Sequence, residues 1–175
     1  MSLIIGECIG KGIASQAIGW FGGGYFSHTT TLLPNKRFVL DARADEVGGK
    51  PTGVQLRPVG YLEKMYGSGI TWLKIPCSSI MEQLTYSALY SQLGKPYDTI
   101  GILDYALGRL RDRNWMDKSA WFCSELAVWS WIEGKFLSRP LVPSAEPNRI
   151  TPGGSVRIAW GLGARVITQA EAFSL

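Results

Sequence analysis

The order of short apolar segments is the feature that most constrains how this chain of 175 residues can fold. Runs of apolar and β-branched residues bounded by glycine, proline or asparagine predict strands. The predicted strands are Leu3–Ile9, Ser27–Leu33, Phe38–Ala42, Gly53–Val59 and Thr71–Ile75, with one or two more in Ser155–Ile167.

Helices are predicted where capping and terminating residues bracket good helix formers. They are Ser15–Phe21, Tyr61–Tyr66, Ser78–Leu93, Ile100–Leu110 and Phe122–Glu133, the last closed by Gly134 at C′. Residues 138–154 are rich in proline and predict a loop. The layout predicts one α+β domain over residues 1–175, which is long enough to bury a core without disulfide or metal staples.

A single histidine, His28, limits the chemistry that the chain can perform. One histidine and three dispersed cysteines exclude zinc fingers and multi-histidine metal sites, so we expect no metal and no cofactor. Three cysteines cannot all pair, and no C-x-x-C is present, which favours a reduced protein. If an imidazole acts as general base here, it is that of His28.

Charge and hydropathy favour a protein that binds neither nucleic acid nor membrane. The net charge is +4, short of the clustered basic field of a nucleic-acid binder. The densest basic run (Arg109, Arg111, Arg113) is interrupted by Asp112 and predicts a solvated helix end. We find neither a signal-peptide pattern nor a membrane-spanning stretch, and therefore expect a cytoplasmic or phage-delivered protein with no stable membrane insertion.

The predicted hairpin around Pro34-Asn35 offers His28 a partner. With a two-residue turn, Leu33 faces Lys36 and His28 lies opposite Asp41, close enough for a carboxylate to orient the imidazole. A three-residue loop would place Ala42 opposite His28, and a four-residue loop Arg43. Asp45 and Glu46 are alternative acidic partners, and a purely structural strand histidine is the simplest alternative.

Cys123 is a candidate nucleophile because it lies at a predicted helix start. A helix N-terminus lowers the pKa of a thiol, and its free N–H groups can form half of an oxyanion hole. Cys77 also precedes a predicted helix and is a rival, whereas Cys8 lies in a predicted strand. A small buried core residue is the alternative reading of Cys123.

Two further features adjoin these candidates. The Gly22-Gly23-Gly24 run lacks the preceding strand and the Gly-Lys-Ser/Thr ending of a phosphate loop, so we expect it to let the backbone pass close to the site. Tyr97, in GKPYD, belongs either to the core or to the cleft.

Several motifs in order resemble a known family: IGECIGKG, then SHTTTLL, FVLDA, GKPYD, FCSEL and RITPGG. Together they resemble the circularly permuted papain-like hydrolases, the YiiX/YaeF-like branch of the NlpC-type superfamily, over residues 3–155. The resemblance implies an α+β fold with an antiparallel sheet or small barrel packed against helices and a nucleophile at a helix N-terminus.

The resemblance also implies roles for individual residues. Cys123 would be the nucleophile, His28 the general base and later acid, and Asp41 the orienting group. The family's third residue is often glutamate, so the shorter Asp41 must reach the imidazole from a closer backbone. Glu7 lies at a position where that family more often has aspartate, and we interpret the role of Glu7 as structural.

Three functions follow as hypotheses. The first is a cysteine hydrolase that cleaves an amide through a thioester, with a peptide or peptidoglycan as the implied substrate. The second is an acyltransferase or lipid esterase of the lecithin:retinol acyltransferase-like type, for which Trp121-Phe122 could make an apolar cleft. The third is a non-catalytic binding module on the same fold. The sequence leaves substrate and oligomeric state open.

Overall fold

An open antiparallel sheet organises the protein. The structure, a computed structural model, describes residues 1–12, 15–16, 25–99, 119–137 and 150–174. The strands are β1 (Ser2–Cys8), β2 (His28–Leu32), β3 (Phe38–Arg43), β4 (Gly53–Pro58), β5 (Ile70–Pro76) and β6 (Arg165–Ile167). They lie in the order β4-β3-β2-β1-β5-β6, and every neighbouring pair is antiparallel. The α+β prediction is therefore confirmed, with an open sheet rather than a small barrel.

Five helices lie in the described part of the chain. They are α1 (Gly60–Tyr66), α2 (Ser79–Tyr90), α3 (Cys123–Glu133), α4 (Pro152–Gly161) and α5 (Gln169–Phe173). The predictions for α1, α2 and α3 are confirmed to within a few residues. Across the described residues, no helix is long and apolar enough to cross a membrane.

The prediction of strand over Ser155–Ile167 was wrong for most of that segment, which begins in α4. Thr151 caps this helix by accepting the Gly154 N–H at 3.0 Å, and Pro152 occupies the first turn. Both residues favour a helix start, because the cap satisfies a free N–H and proline has none to satisfy. The predicted loop thus ends before Pro152, and only Arg165–Ile167 forms a strand.

Each face of the sheet carries its own apolar core. Leu3 and Ile5 of β1 pack in the cluster that contains α3, while Ile4 and Cys8 pack in the cluster that contains α1. This split follows from the alternation of side chains along a strand. By the same alternation Glu7 points to the α3 side, so a carboxyl group lies where an apolar residue is expected.

Helix α3 is buried along nearly its whole length, from Cys123 to Trp131. It ends at Gly134, as predicted, but for a different reason. Gly134 has right-handed φ and ψ, and Lys135 is the residue with positive φ, at 63°. A Cβ on Gly134 would lie 2.0 Å from Oγ1 of Thr85, so glycine is required by the close approach of α2.

The predicted two-residue hairpin turn was wrong. Thr31 pairs with Leu40 and Leu32 with Val39, which is the register of a four-residue loop. Asn35 organises the loop by accepting the Arg37 N–H at 3.0 Å with its side chain, a local bond that asparagine makes readily in turns. The alternative that aligns His28 with Arg43 is therefore the correct register.

Several predictions fall on residues outside the described part of the chain. They concern most of Ser15–Phe21, the run Gly22-Gly23-Gly24, Ile100–Leu110, the basic run around Asp112, and the predicted loop up to residue 149.

Candidate active site

His28 contacts Asp41 although the two residues are not paired across the strands. Nε2 of His28 lies 2.8 Å from Oδ2 of Asp41, and both side chains are buried. The β2–β3 ladder ends at the pair Thr31–Leu40. The side-chain contact thus bridges two strands beyond the end of their ladder.

Asp41 is itself held by two further groups. Arg57 donates from Nη1 to Oδ1 of Asp41 at 2.6 Å, and neither side chain has any exposed surface. Tyr61 donates its hydroxyl hydrogen to Oδ2 of Asp41, and its oxygen lies 3.4 Å from Nε2 of His28. A carboxylate held at both oxygens has a fixed orientation, and it fixes the ring of His28 in turn. Arg57 and Tyr61 were missed in the sequence because their roles depend on contacts to β3.

Cys123 is the first residue of α3, as predicted, with Phe122 as the N-cap. The side chain of His28 and the backbone N–H groups of Thr29 and Ser124 interact with its sulfur and lower the pKa of the thiol. Because Nε2 of His28 is directed at Asp41, the ring nitrogen available to the sulfur is Nδ1. The structure thus brings Cys123, His28 and Asp41 together in one chain of contacts.

The end of the β2–β3 ladder explains why the N–H of Thr29 is available to sulfur. In an antiparallel pair, successive residues direct their backbone groups to alternate sides. Leu33 donates to the Phe38 carbonyl on the β3 side, so Thr31 and Thr29 face that side too. The β2–β3 ladder ends at Thr31, and the N–H of Thr29 interacts with the Cys123 sulfur instead.

The electrostatics favour a thiolate–imidazolium pair. Burial raises the pKa of the Cys123 thiol, but the charge of His28 and the hydrogen bonds from His28, Thr29 and Ser124 outweigh it and lower the pKa. Burial likewise lowers the pKa of His28, but the thiolate and Asp41 together raise it to about 9. Burial raises the pKa of Asp41, and the opposing interactions with His28, Arg57 and Tyr61 bring it below its usual value.

The alternative acidic partners are occupied elsewhere or face solvent. The carboxylate of Asp45 lies 2.7 Å and 2.9 Å from Nε and Nη2 of Arg43. Glu46 is exposed. Arg43 also donates to the hydroxyl of Tyr66, whose ring stacks parallel to that of His28 with centroids 6.0 Å apart.

The rival cysteines lie in environments that favour the neutral thiol. Burial raises the pKa of Cys77, which is half-buried after β5, and of Cys8, which is fully buried in β1. Cys123 alone of the three has a lowered pKa.

Aromatic residues near Cys123 fall into two groups. Burial and the charge of Cys123 raise the pKa of the Tyr97 hydroxyl, which places Tyr97 beside the site. Trp121 is 2% exposed, packs against Trp129 and donates from Nε1 to Gln92 at 3.0 Å. Trp121 is therefore a core residue.

Comparisons with known proteins support the fold. The open antiparallel sheet and its helices form a YiiX-like α+β fold. A similar solved structure is that of the metalloprotein YiiX from Escherichia coli O157:H7, with a TM-score of 0.55 and 22% identity. The match covers 78% of this chain and 67% of that chain. No family model and no curated protein sequence matches.

The residues of this site do not fit a metal ion. Nε2 of His28 faces Asp41 and Tyr61, and its other ring nitrogen faces the Cys123 sulfur. Within the described ranges, no group of three or more His, Cys, Asp or Glu side chains could hold a metal. The expectation of a metal-free protein stays a prediction.

Proposed function

We propose that the protein is a cysteine hydrolase that cleaves an amide bond through a thioester, with Cys123, His28 and Asp41 as its catalytic triad. One observation carries the proposal. The sulfur at the start of α3 interacts with the same imidazole whose Nε2 lies 2.8 Å from a buried carboxylate. A nucleophile next to a base that is held by an orienting group is the arrangement that nucleophilic catalysis requires.

The first half-reaction uses the ion pair directly. The Cys123 thiolate attacks the carbonyl carbon of the substrate, and its electron pair forms the C–S bond. The imidazolium of His28 then donates its Nδ1 proton to the leaving nitrogen as the C–N bond breaks. An amine departs, and a thioester on Cys123 remains.

The second half-reaction returns the enzyme to its resting state. His28 accepts a proton from water, and the resulting hydroxide adds to the thioester carbonyl. The C–S bond breaks, its electron pair returns to the Cys123 sulfur, and the carboxylic acid leaves. His28 keeps the proton taken from water, so the thiolate–imidazolium pair is restored. Asp41 keeps the ring in one orientation throughout, which requires no proton transfer to the carboxylate.

Charge on the substrate oxygen is stabilised by the start of α3. The first N–H groups of a helix lack intrahelical acceptors, and that of Cys123 lies at the first helical position. Such a donor is worth about 10²–10³ in rate in comparable hydrolases.

Selective alkylation tests the assignment of the nucleophile. The protein is treated with limiting iodoacetamide at neutral pH, and the modified cysteines are identified by peptide mass spectrometry. We expect Cys123 to react before Cys77 and Cys8, because only its pKa is lowered. Faster reaction at Cys77 or Cys8 would contradict the proposal.

The substrate is proposed to be a peptide or a cell-wall peptide. A panel of peptide amides, peptidoglycan fragments and fatty-acyl esters distinguishes an amide hydrolase from an acyltransferase or lipid esterase. Release of amine from the amides supports the proposed function, while turnover of the acyl esters alone would overturn it in favour of acyl transfer. If Cys123→Ala leaves the biological activity intact, the fold serves as a binding module.

A further inference from the structure

Glu7 is a buried carboxyl group that the proposed reaction does not use. It has no exposed surface and lies on the α3 face of β1. Thr29 Oγ1 lies 2.8 Å from its Oε2, and Ser155 Oγ lies 2.8 Å from its Oε1. Within the described part of the chain, hydroxyl groups alone hydrogen-bond to the two oxygens.

A charged Glu7 leaves two of the short contacts in this cluster without a hydrogen atom. The two hydroxyls also lie 3.2 Å from each other, and Ser155 Oγ lies 2.7 Å from the Pro152 carbonyl oxygen. The hydroxyls of Thr29 and Ser155 supply two hydrogens for these four short contacts. A proton on Glu7 supplies a third, so that Glu7 donates to Thr29 and Thr29 donates to Ser155. Ser155 then donates either to Oε1 of Glu7 or to the Pro152 carbonyl, and one contact is left without a hydrogen instead of two.

The surroundings of Glu7 also oppose a negative charge. Burial raises its pKa well above the usual value, and the hydrogen bonds from Ser155 and Thr29 offset this only in part. The Cys123 thiolate raises the pKa further, while the imidazolium of His28 lowers it slightly. Cys8 is the neighbouring titratable group on β1, and its pKa is also raised, which favours the neutral thiol.

Glu7 is linked to the nucleophile through Thr29. The Thr29 hydroxyl bonds to Glu7, and the N–H of the same residue interacts with the Cys123 sulfur and lowers the pKa of its thiol. Ser155 brings the first turns of α4 into the same network. Loss of the carboxyl group would therefore free both the strand residue that contacts sulfur and the helix packed behind it.

We propose that Glu7 is a neutral carboxylic acid in the resting protein and acts as a positioning residue. It holds Thr29 so that its N–H meets the Cys123 sulfur, and it adds no negative charge beside the thiolate. The positioning role rests on the proposed function of Cys123, whereas the protonation state of Glu7 does not.

Three variants test the positioning role in a Cys77→Ala background, where the rate of Cys123 alkylation is measured against pH. Glu7→Gln keeps the shape and the donor of the neutral acid, so its profile should match the parent. Glu7→Leu removes every polar contact and should shift the thiol pKa upward, with a slower reaction at neutral pH. Thr29→Ser retains the hydroxyl and serves as the conservative control, with an unchanged profile.

A charged Glu7 predicts a different result. Removing a negative charge near the thiolate by Glu7→Gln would then lower the thiol pKa, because like charges disfavour ionisation. That downward shift would overturn the neutral-acid assignment. An unchanged profile in Glu7→Leu would overturn the positioning role.

Infrared spectroscopy of the wild-type protein with ¹³C-labelled glutamate reads the protonation state without a mutation that could prevent folding. We expect a carboxylic-acid carbonyl band at neutral pH that is absent from Glu7→Gln, and carboxylate bands alone would contradict the assignment. This readout remains valid if Cys123 proves not to be the nucleophile, so the two proposals can fail separately.

Stability measurements give a third readout. A proton held by the folded but not the unfolded chain makes the folded state less stable as pH rises above the ordinary carboxyl pKa of 4.5. The unfolding constant of the wild type relative to Glu7→Gln should then rise about tenfold per pH unit toward neutrality. A ratio independent of pH over this range would contradict a neutral Glu7.

Discussion

Nη1 of Arg57 lies 2.6 Å from Oδ1 of Asp41, and both side chains are fully excluded from solvent. Arg57 also donates from Nη2 to the Pro51 carbonyl at 2.8 Å. A buried charge pair requires good geometry and further hydrogen bonds to offset the loss of hydration. Asp41 meets that requirement with His28 on its other oxygen, so the ion pair and the proposed triad form one network.

Removal of Arg57 should destabilise the protein and disturb the site together. Arg57→Met removes one of the two cations that contact the buried carboxylate of Asp41, which is expected to cost about 3–5 kcal/mol of unfolding free energy. Chemical denaturation measures the loss, and Arg37→Met at an exposed position provides the control, with a change within about 0.5 kcal/mol. Equal effects of the two substitutions would show that the buried pair contributes little.

Replacement of Cys123 should abolish the proposed hydrolysis while the fold is kept. Cys123→Ser is nearly isosteric, but its hydroxyl has a much higher pKa than a thiol, so His28 cannot hold it as the anion. We expect amide cleavage to fall at least about 10³-fold, on the scale of lost nucleophiles, with an unchanged circular dichroism spectrum. Cys77→Ala is the matched control and should retain activity. A comparable loss of activity in that variant would contradict the assignment of Cys123 as the nucleophile.

The pH dependence should show two limits. On the acidic side, activity should appear as Cys123 ionises below the usual thiol pKa of 9.0. On the alkaline side, it should fall above about pH 9 as the imidazolium of His28 loses the proton that the leaving amine needs. Steady-state rates over a broad pH range measure both limits, and an alkaline limit near 6.5 would indicate an imidazole without its charged partners.

The raised pKa of His28 also predicts how the stability of the fold depends on pH. A histidine whose folded pKa is raised stabilises the fold fully below its ordinary pKa of 6.5, and this contribution is lost as pH rises through about 9. His28→Gln should therefore lose the part of the pH-dependent stability that lies in this window. Unfolding titrations of both proteins at several pH values check the sign.

Substitution of Gly134 should show whether close packing or backbone conformation is the reason that glycine is required at this position. A Cβ there would lie 2.0 Å from Thr85 Oγ1, so Gly134→Ala should force α2 and α3 apart and destabilise the protein by about 1–3 kcal/mol. Gly161 in α4 has nothing within 4 Å of its ideal Cβ, and Gly161→Ala should stabilise by up to about 1 kcal/mol through helix propensity. Thermal denaturation compares them, and stabilisation in both variants would rule out the clash.

Local patterns in the sequence were sufficient to predict most of the described elements. Strands β1 to β5 and helices α1 to α3 follow from apolar runs, β-branched residues and caps, which act over a few neighbouring residues. The pattern failed for α4, because the apolar residues after Pro152 fit a strand as well as a helix, and the capping role of Thr151 decided between them. Short apolar segments are ambiguous in this way until the caps are weighed.

The candidate site shows the same division. The sequence by itself determined that any catalytic imidazole belongs to His28, because the chain contains no other, and it placed Cys123 at a helix start. Only the tertiary structure decided the hairpin register, the ion pair of Arg57 with Asp41 and the burial of Glu7 beside Thr29. Those features depend on contacts between strands and helices far apart in the chain, and a side chain's pKa follows from these neighbours rather than from its place in the sequence.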